Sequence, residues 1–267
     1  MKLYIGNRTQ GHSGDTSREL MSMWEESKYC EIIHGETDDV YLWANEPNDI
    51  LLYEYPRIDS YPGLPDKWNK GLFGNMQVDS PNAMPWIFWA RRPRLLEAKI
   101  KEGIKNFKER KIKSVFLGKI ENAIQYNNRA SNNWDSFVEK FSMPLDKHAS
   151  GKWPYTQEEY LDILRDSKFG LCLAGFGPKC NREIEYLGLG VVPIMTPGVD
   201  LSYHNKLKEG VHYIKVNYPI EISDVVNGMS ESEWTLMSEN CRKWYEDNCS
   251  RRGSFDTTLN IIESIKR

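Results

Sequence analysis

The chain has 267 residues, 40% hydrophobic and 27% charged, with a formal net charge of −3 from 35 basic and 38 acidic side chains. That apolar share excludes a disordered chain, and the charge balance removes any global drive to bind nucleic acid by counterion release. Mean hydropathy is −0.62, and the longest apolar patch, Met84–Ala90, falls far short of the ~18 residues of a membrane-spanning helix. Met1–Gly6 runs straight into a polar segment without the form of a targeting peptide, so a soluble, cytoplasmic protein is expected. Five cysteines without a C-x-x-C pair indicate buried, reduced thiols rather than a zinc site or a disulfide framework.

In chain order, Lys2–Ile5 reads as a strand, followed by a polar loop over 7–14. Thr16-x-x-Glu19 has the form of a capping box for a helix carrying Leu20, Met23 and Trp24. Glu31–His34 and Asp49–Tyr53 are further strands, and residues 56–85, rich in Pro, Gly, Asp and Asn, read as a long functional loop. A long helix is expected from Arg94, with Leu96, Ile100, Ile104 and Phe107 on one stripe among solvated lysines. Strands follow at Ser114–Leu117 and Phe169–Ala174, with a helix between them capped by Thr156-x-x-Glu159. Asn181–Leu189 is a helix stopped by Gly190; strands at Val191–Met195 and His212–Val216 follow. Two closing helices present Trp234, Met237, Cys241 and Trp244, then Phe255, Leu259, Ile262 and Ile265. Such alternation predicts an α/β protein with a parallel sheet. The division expected is 1–93, 94–252, and a final helix over 253–267 packing back on the first domain.

In an open α/β sheet, ligands bind beyond the carboxyl ends of the strands. The segment 175–185 leaves such a strand. Gly175 and Gly177 let a ligand approach the backbone, and the following helix start directs N–H groups toward it. Arg182 sits in the first turn, where the helix dipole favours anions, so it makes sense beside a bound anion such as a diphosphate. Glu185 shares its face and is suited to accept from ribose hydroxyls. The two residues also fit a plain i,i+3 pair. The fragment is neither a Rossmann G-x-G-x-x-G nor a Walker A loop.

The stretch Asp166–Pro178, followed by Arg182-x-x-Glu185 and Gly190-Val-Val-Pro-Ile194, resembles the donor-binding core of exostosin-like glycosyltransferases. Phe116–Asn122 with the trailing Arg129, and Glu209–Ile214, are similar to further parts of that core; the match covers about residues 110–250. The resemblance implies a GT-B-like fold, two Rossmann-type parallel-sheet domains facing a cleft, with the first as the acceptor side. It implies transfer of a sugar from a nucleotide diphosphate, UDP-linked by preference (UDP-xylose or similar), to an oligosaccharide or glycoprotein acceptor. Arg182 would neutralise the diphosphate and Glu185 hold the ribose. Gly118 and Lys119 would line the site, and Arg129 would supply a second cation. Asn122 would orient its loop or simply make a turn. Tyr155, with Trp153 and Pro154, would flank the base or fill the core.

No D-x-D occurs, so no metal or other cofactor is called for, and arginine, lysine and a helix terminus must stabilise the leaving group. An inverting transferase needs a general base. His12, Asp15 and Asp79 are the candidates, with Glu54 and Asp59 behind them; Asp15 also fits an N-cap and Asp79 a turn. A retaining mechanism would need no such base. The rival readings are a non-catalytic glycan or nucleotide-sugar binding module and a single-stranded nucleic-acid binder using Lys99–Lys113. The charge balance disfavours the second.

Overall fold

The structure, a computed structural model, describes residues 2–5, 13–34, 41–44, 50–53, 70–73, 83–120, 123–130, 132–142, 153–175 and 177–265. The chain opens with β1 (Lys2–Ile5), α1 (Ser13–Glu26), β2 (Glu31–His34), β3 (Tyr41–Ala44), β4 (Ile50–Tyr53), β5 (Lys70–Phe73) and β6 (Ala83–Pro85). It continues through α2 (Pro93–Lys101), β7 (Ile112–Leu117), α3 (Ala123–Ala130), a 3-10 turn over Trp134–Phe137, β8 (Lys140–Ser142) and α4 (Gln157–Arg165). It closes with β9 (Ser167–Cys172), α5 (Asn181–Leu189), β10 (Val192–Met195), β11 (Ile214–Lys215), α6 (Glu221–Gly228), α7 (Glu231–Asn248) and α8 (Arg251–Ile265). No helix among the described residues is long and apolar enough to cross a membrane.

The chain divides into two units. One comprises 1–94, 202–206 and 246–267; the other comprises 95–201 and 207–245. The sheet of the first unit has the order β2-β1-β3-β4-β5-β6 and is mixed, with β3 antiparallel to both β1 and β4. An all-parallel sheet was expected there. Only residues 45–49 join β3 to β4, too few for the crossover of about a dozen residues or more that parallel neighbours require. Two strands, β5 and β6, also lie inside the 56–85 segment expected to be loop. Strands of three or four residues carry too little periodicity to stand out among Pro and Gly. β6 ends on Pro85 at the sheet edge, where a missing N–H costs least.

The helix expected from Thr16 starts at Ser13, so Thr16 is not its cap. Leu20, Met23 and Trp24 are buried, and α8 contributes acceptors for two indoles of this unit. Trp24 Nε1 donates to Ser254 Oγ at 2.8 Å, and Trp86 Nε1 to Thr258 Oγ1 at 2.9 Å. Ser254 and Thr258 are one turn apart, so a single helix face satisfies two buried Trp N–H groups.

The second unit carries a five-stranded sheet, all parallel, in the order β11-β10-β9-β7-β8. The later parts of its central strands, Val115–Leu117 and Phe169–Cys172, lack charged residues and are buried, because helices cover both faces of a parallel sheet. The four residues from Ser114 to Leu117 are buried, as are all of Val192–Met195. The capping box at Thr156 forms as predicted: Glu159 N donates to Thr156 Oγ1 at 3.1 Å, and Thr156 N to Glu159 Oε2 at 2.7 Å. Helix α2 is shorter than its stripe suggested. It stops near Gly103, whose φ of 103° suits glycine, so Ile104 and Phe107 lie outside it. Nor is Lys99 solvated. It is buried among Asp162 (2.9 Å), Glu158 (3.2 Å) and Glu102 (3.4 Å). The strand expected over 212–216 shrinks to Ile214–Lys215.

A buried arginine braces this unit. Arg110 donates from Nη1 to Ser167 O and from Nη2 to Leu189 O, both at 2.7 Å, and from Nε to Lys105 O at 3.0 Å. Burial lowers its pKa to about 9, yet it stays charged at neutral pH. Arg110→Met strips three main-chain carbonyls of a charged donor, and a loss of about 2–4 kcal/mol in urea unfolding is expected. An unchanged midpoint would show that these carbonyls find other donors.

Candidate anion site at the carboxyl edge of the parallel sheet

In the order β8-β7-β9-β10-β11 the direction of winding reverses between β7 and β9, which is where open α/β sheets place their ligands. The β7–β9 ladder runs from Ile112↔Ser167 to Val115↔Gly170; the last two residues of each strand lie beyond it. Side chains from α5 occupy that divergence. The Tyr186 hydroxyl is 3.2 Å from Val115 O and 3.4 Å from Leu171 O, sharing its proton between them. One turn earlier, Arg182 Nε donates to Leu117 O at 3.1 Å. Gly170 makes room for this, since a Cβ there would lie 2.4 Å from the Tyr186 ring.

The start of α5 gathers two arginines around one aromatic ring. The Cζ of Arg182 is 4.4 Å from the Phe116 centroid, and that of Arg129 is 5.8 Å away. Arg129, on α3, donates from Nε to Ala174 O at 3.1 Å and from Nη1 to Lys119 O. Asn128 Nδ2, beside it, holds Gly175 O at 2.9 Å. These bonds tie the segments leaving β7 and β9 to a single helix. Burial, then the proximity of Arg182, lowers the pKa of Arg129.

The glycines of the site serve these guanidinium groups. A Cβ on Gly118 would lie 2.8 Å from Arg182 Nη2, and one on Gly175 would lie 2.7 Å from Arg129 Nη2. Gly177 O accepts from Gly175 N at 2.9 Å and closes the turn. Lys119 is half-buried, and Lys179, buried nearby in sequence, has its pKa lowered by burial to about 8.

Glu185 was expected to face a ligand together with Arg182. Instead the whole of α5 from Arg182 to Leu189 is buried, and Glu185 Oε2 accepts from the Tyr160 hydroxyl at 2.7 Å. Burial and the Glu185 charge hold that phenol well above its ordinary pKa, so it remains a donor. Half-buried Tyr155 lies 5.6 Å from the Trp153 ring, which in turn lies 6.2 Å from Tyr160. Arg182, Arg129, Gly118, Lys119, Gly175 and Gly177 therefore meet at the carboxyl edge; Tyr155 is linked to it through Trp153, Tyr160 and Glu185, and its ring also lies 6.0 Å from Lys140 Nζ on β8. Asp15 lies in α1, with its side chain outside the described residues, and His12, Glu54, Asp59, Asp79 and Asn122 lie outside them altogether.

Glu183 escaped the sequence reading. Its Oε2 accepts the Cys180 N–H, the carboxylate half of a capping box. The pattern S/T-x-x-E would have revealed it, but cysteine occupies the cap position. The side chain is fully buried, and burial raises its pKa to about 7 against the pull of Arg182, the Cys180 N–H and Arg129, with Glu185 adding repulsion. Among the described residues, two buried atoms at this helix start have no hydrogen-bond partner: Arg182 Nη1 and Glu183 Oε1.

The raised pKa has a stability consequence. Between about 4.5 and about 7 the folded chain holds a proton on Glu183 that the unfolded chain has released, so unfolding free energy falls as pH rises through that window. The penalty is absent below the window, complete above it, and of the order of 3 kcal/mol for this group. Glu183→Gln is expected to gain stability over wild type at pH 8 and not at pH 4.5, as read by urea unfolding. Equal differences at both pH values would show that Glu183 does not titrate in this way.

Compared with known proteins, the chain matches no protein-family model and no curated sequence.

Proposed function

We propose that this chain is a GT-B-type glycosyltransferase that moves a sugar from a nucleotide diphosphate, UDP-linked by preference, to a carbohydrate acceptor. The observation that carries the reading is Arg182: 7% exposed, fixed through Nε on Leu117 O, with Nη1 lacking a partner among the described residues, at the carboxyl edge of a parallel sheet where its order reverses. A guanidinium at the head of a helix is matched to the negative charge that builds on a departing diphosphate.

In the transfer, the bond from the anomeric carbon to the phosphate oxygen breaks and its electron pair leaves with the nucleoside diphosphate. The acceptor oxygen bonds to that carbon, and its proton passes to a base. Arg182 and the start of α5 stabilise the leaving group. Arg129, committed to the Ala174 and Lys119 carbonyls, acts by positioning the two loops. The proposal keeps an inverting mechanism, with its base drawn from His12, Asp15 and Asp79.

A thermal-shift screen of nucleotide sugars, followed by NMR of the responsive donor, tests this. A ligand at 100 times its Kd stabilises the folded state by about 2.7 kcal/mol. Stabilisation with slow release of free sugar from the donor is the expected result. Stabilisation with no turnover, with or without acceptor glycans, would reduce the protein to a binding module. The absence of any shift would remove the donor assignment.

A further inference from the structure

The charges buried around the start of α5 cancel. Arg129 and Arg182 bring two positive charges, Glu183 and Glu185 two negative ones, and all four residues are buried. Three of them are tied down: Arg182 on Leu117 O, Arg129 on Ala174 O and Lys119 O, and Glu185 on the Tyr160 hydroxyl. Glu183 is the exception. It is 0% exposed, one oxygen accepts the Cys180 N–H, and among the described residues the other, Oε1, has no partner. A buried carboxylate short of hydrogen bonds is the group whose charged form the protein supports least. One proton on it changes the sum of the four charges from zero to +1. A cluster with no net charge gives an incoming anion little attraction, whereas an excess positive charge in a site of low dielectric attracts it strongly.

We infer that Glu183 is a proton-operated regulator of the anion site: with its carboxyl protonated the two arginines are in excess and a diphosphate binds, and with it ionised one arginine is cancelled and affinity falls. This rests on the donor-site reading above, and it requires no contact between Glu183 and the ligand, because the effect is carried by charge. Around Glu183 lie Arg129 from α3, Cys172 from β9, and Arg182, Cys180, Glu185 and Tyr186 from the α5 segment. Burial keeps both thiols and the Tyr186 phenol protonated at neutral pH. Burial also brings Glu183 to about 7, which sets the change of charge in the neutral range. Lys179, which precedes Cys180 and is opposed by Asp200, has its pKa lowered to about 8 and is the other group near this helix start that loses charge close to that range.

Calorimetric titration of wild type between pH 5.5 and pH 8 tests this with UDP-glucose and with sulfate, neither of which gains or loses a proton over that range. Affinity is expected to fall by about five- to tenfold as pH rises, since one unit of pKa shift corresponds to a tenfold change. Binding at pH 7.5 should also take up protons, read from the heats in two buffers of different ionisation enthalpy, because the anion favours the protonated carboxyl. Glu183→Gln, neutral at every pH, should hold the low-pH affinity of wild type throughout and take up no proton. A flat wild-type profile without proton uptake would overturn the inference with no variant needed. An equal fall in Glu183→Gln would overturn it too and pass the role to Lys179. In both of those cases, binding that Arg182→Met abolishes would leave the anion site standing. If neither UDP-glucose nor sulfate binds wild type at any pH, the donor assignment falls together with the switch.

Discussion

Replacing Arg182 with methionine is expected to weaken UDP binding by at least about a hundredfold, corresponding to about 3 kcal/mol. Methionine keeps an apolar stem against the Phe116 ring and space beside Gly118, so the loss is chiefly one of charge and directed N–H groups. The same change also costs stability in a pH-dependent way. Leu117 O loses its donor, and the buried carboxylates of Glu183 and Glu185 lose the nearest cation in sequence. At pH 8, with Glu183 ionised, the variant should unfold at clearly lower urea than wild type; at pH 5, with the proton retained on Glu183, the gap should narrow. Arg182→Lys restores charge without the fork that reaches the carbonyl and the ligand together, so it should recover only part of the affinity. Full affinity in Arg182→Met would place the anion elsewhere.

Gly253→Ala is expected to be the most damaging small substitution in the first unit. A Cβ at Gly253 would lie 2.0 Å from Glu246 O, 2.6 Å from Asp247 C and 2.8 Å from Asp247 O. These are main-chain atoms of α7, so no rotamer change relieves the overlap. The Ser250 hydroxyl fixes the approach by donating to Glu246 O at 2.7 Å and accepting from Gly253 N at 3.0 Å. In an ordinary helix, Gly to Ala gains up to about 1 kcal/mol. Here the sign reverses, and a loss of about 3 kcal/mol is expected, with a fall in Tm of roughly 6–12 °C. Because α8 carries Ser254 and Thr258, its displacement also strands the indole N–H groups of Trp24 and Trp86. Gly228→Ala is the control: its Cβ would meet nothing within 4 Å, and its Tm should stay within about 2 °C of wild type. A comparable fall in both variants would mean that the close approach of Gly253 to α7 is not the cause.

Elements whose cause is local were legible in the chain. The helix over Asn181–Leu189 ends as expected at Gly190, which takes φ 65° and lets Val191 N reach Tyr186 O at 2.9 Å. Thr156 and Glu159 cap α4 through reciprocal side-chain bonds to each other's backbone N–H groups. The apolar runs of β7, β9 and β10 announced a parallel sheet, and the preference of such sheets for ligands at their carboxyl edge pointed to segment 175–185. Elements whose cause is distant were not legible. The register and direction of β3 depend on its neighbours, and β5 and β6 are too short to carry a period.

At the site, local chemistry named Arg182, because an arginine in the first turn of a helix runs against the dipole and so asks for a reason; Arg129, in the last turn of α3, was named only through the family resemblance. What each arginine touches was decided only by folding. β7 and β9 are neighbours through a pairing that joins Val115 to Gly170, far apart in the chain, and this alone brings Leu117 O to Arg182. The same pairing seats Tyr186 against Gly170. The packing of α4 beside α5 turns Glu185 toward Tyr160 and leaves Glu183 as the carboxylate with an oxygen to spare. A sequence states which groups can donate, accept or carry charge; whether a given atom is already satisfied depends on neighbours tens of residues away, and hydrogen bonding is settled atom by atom in three dimensions.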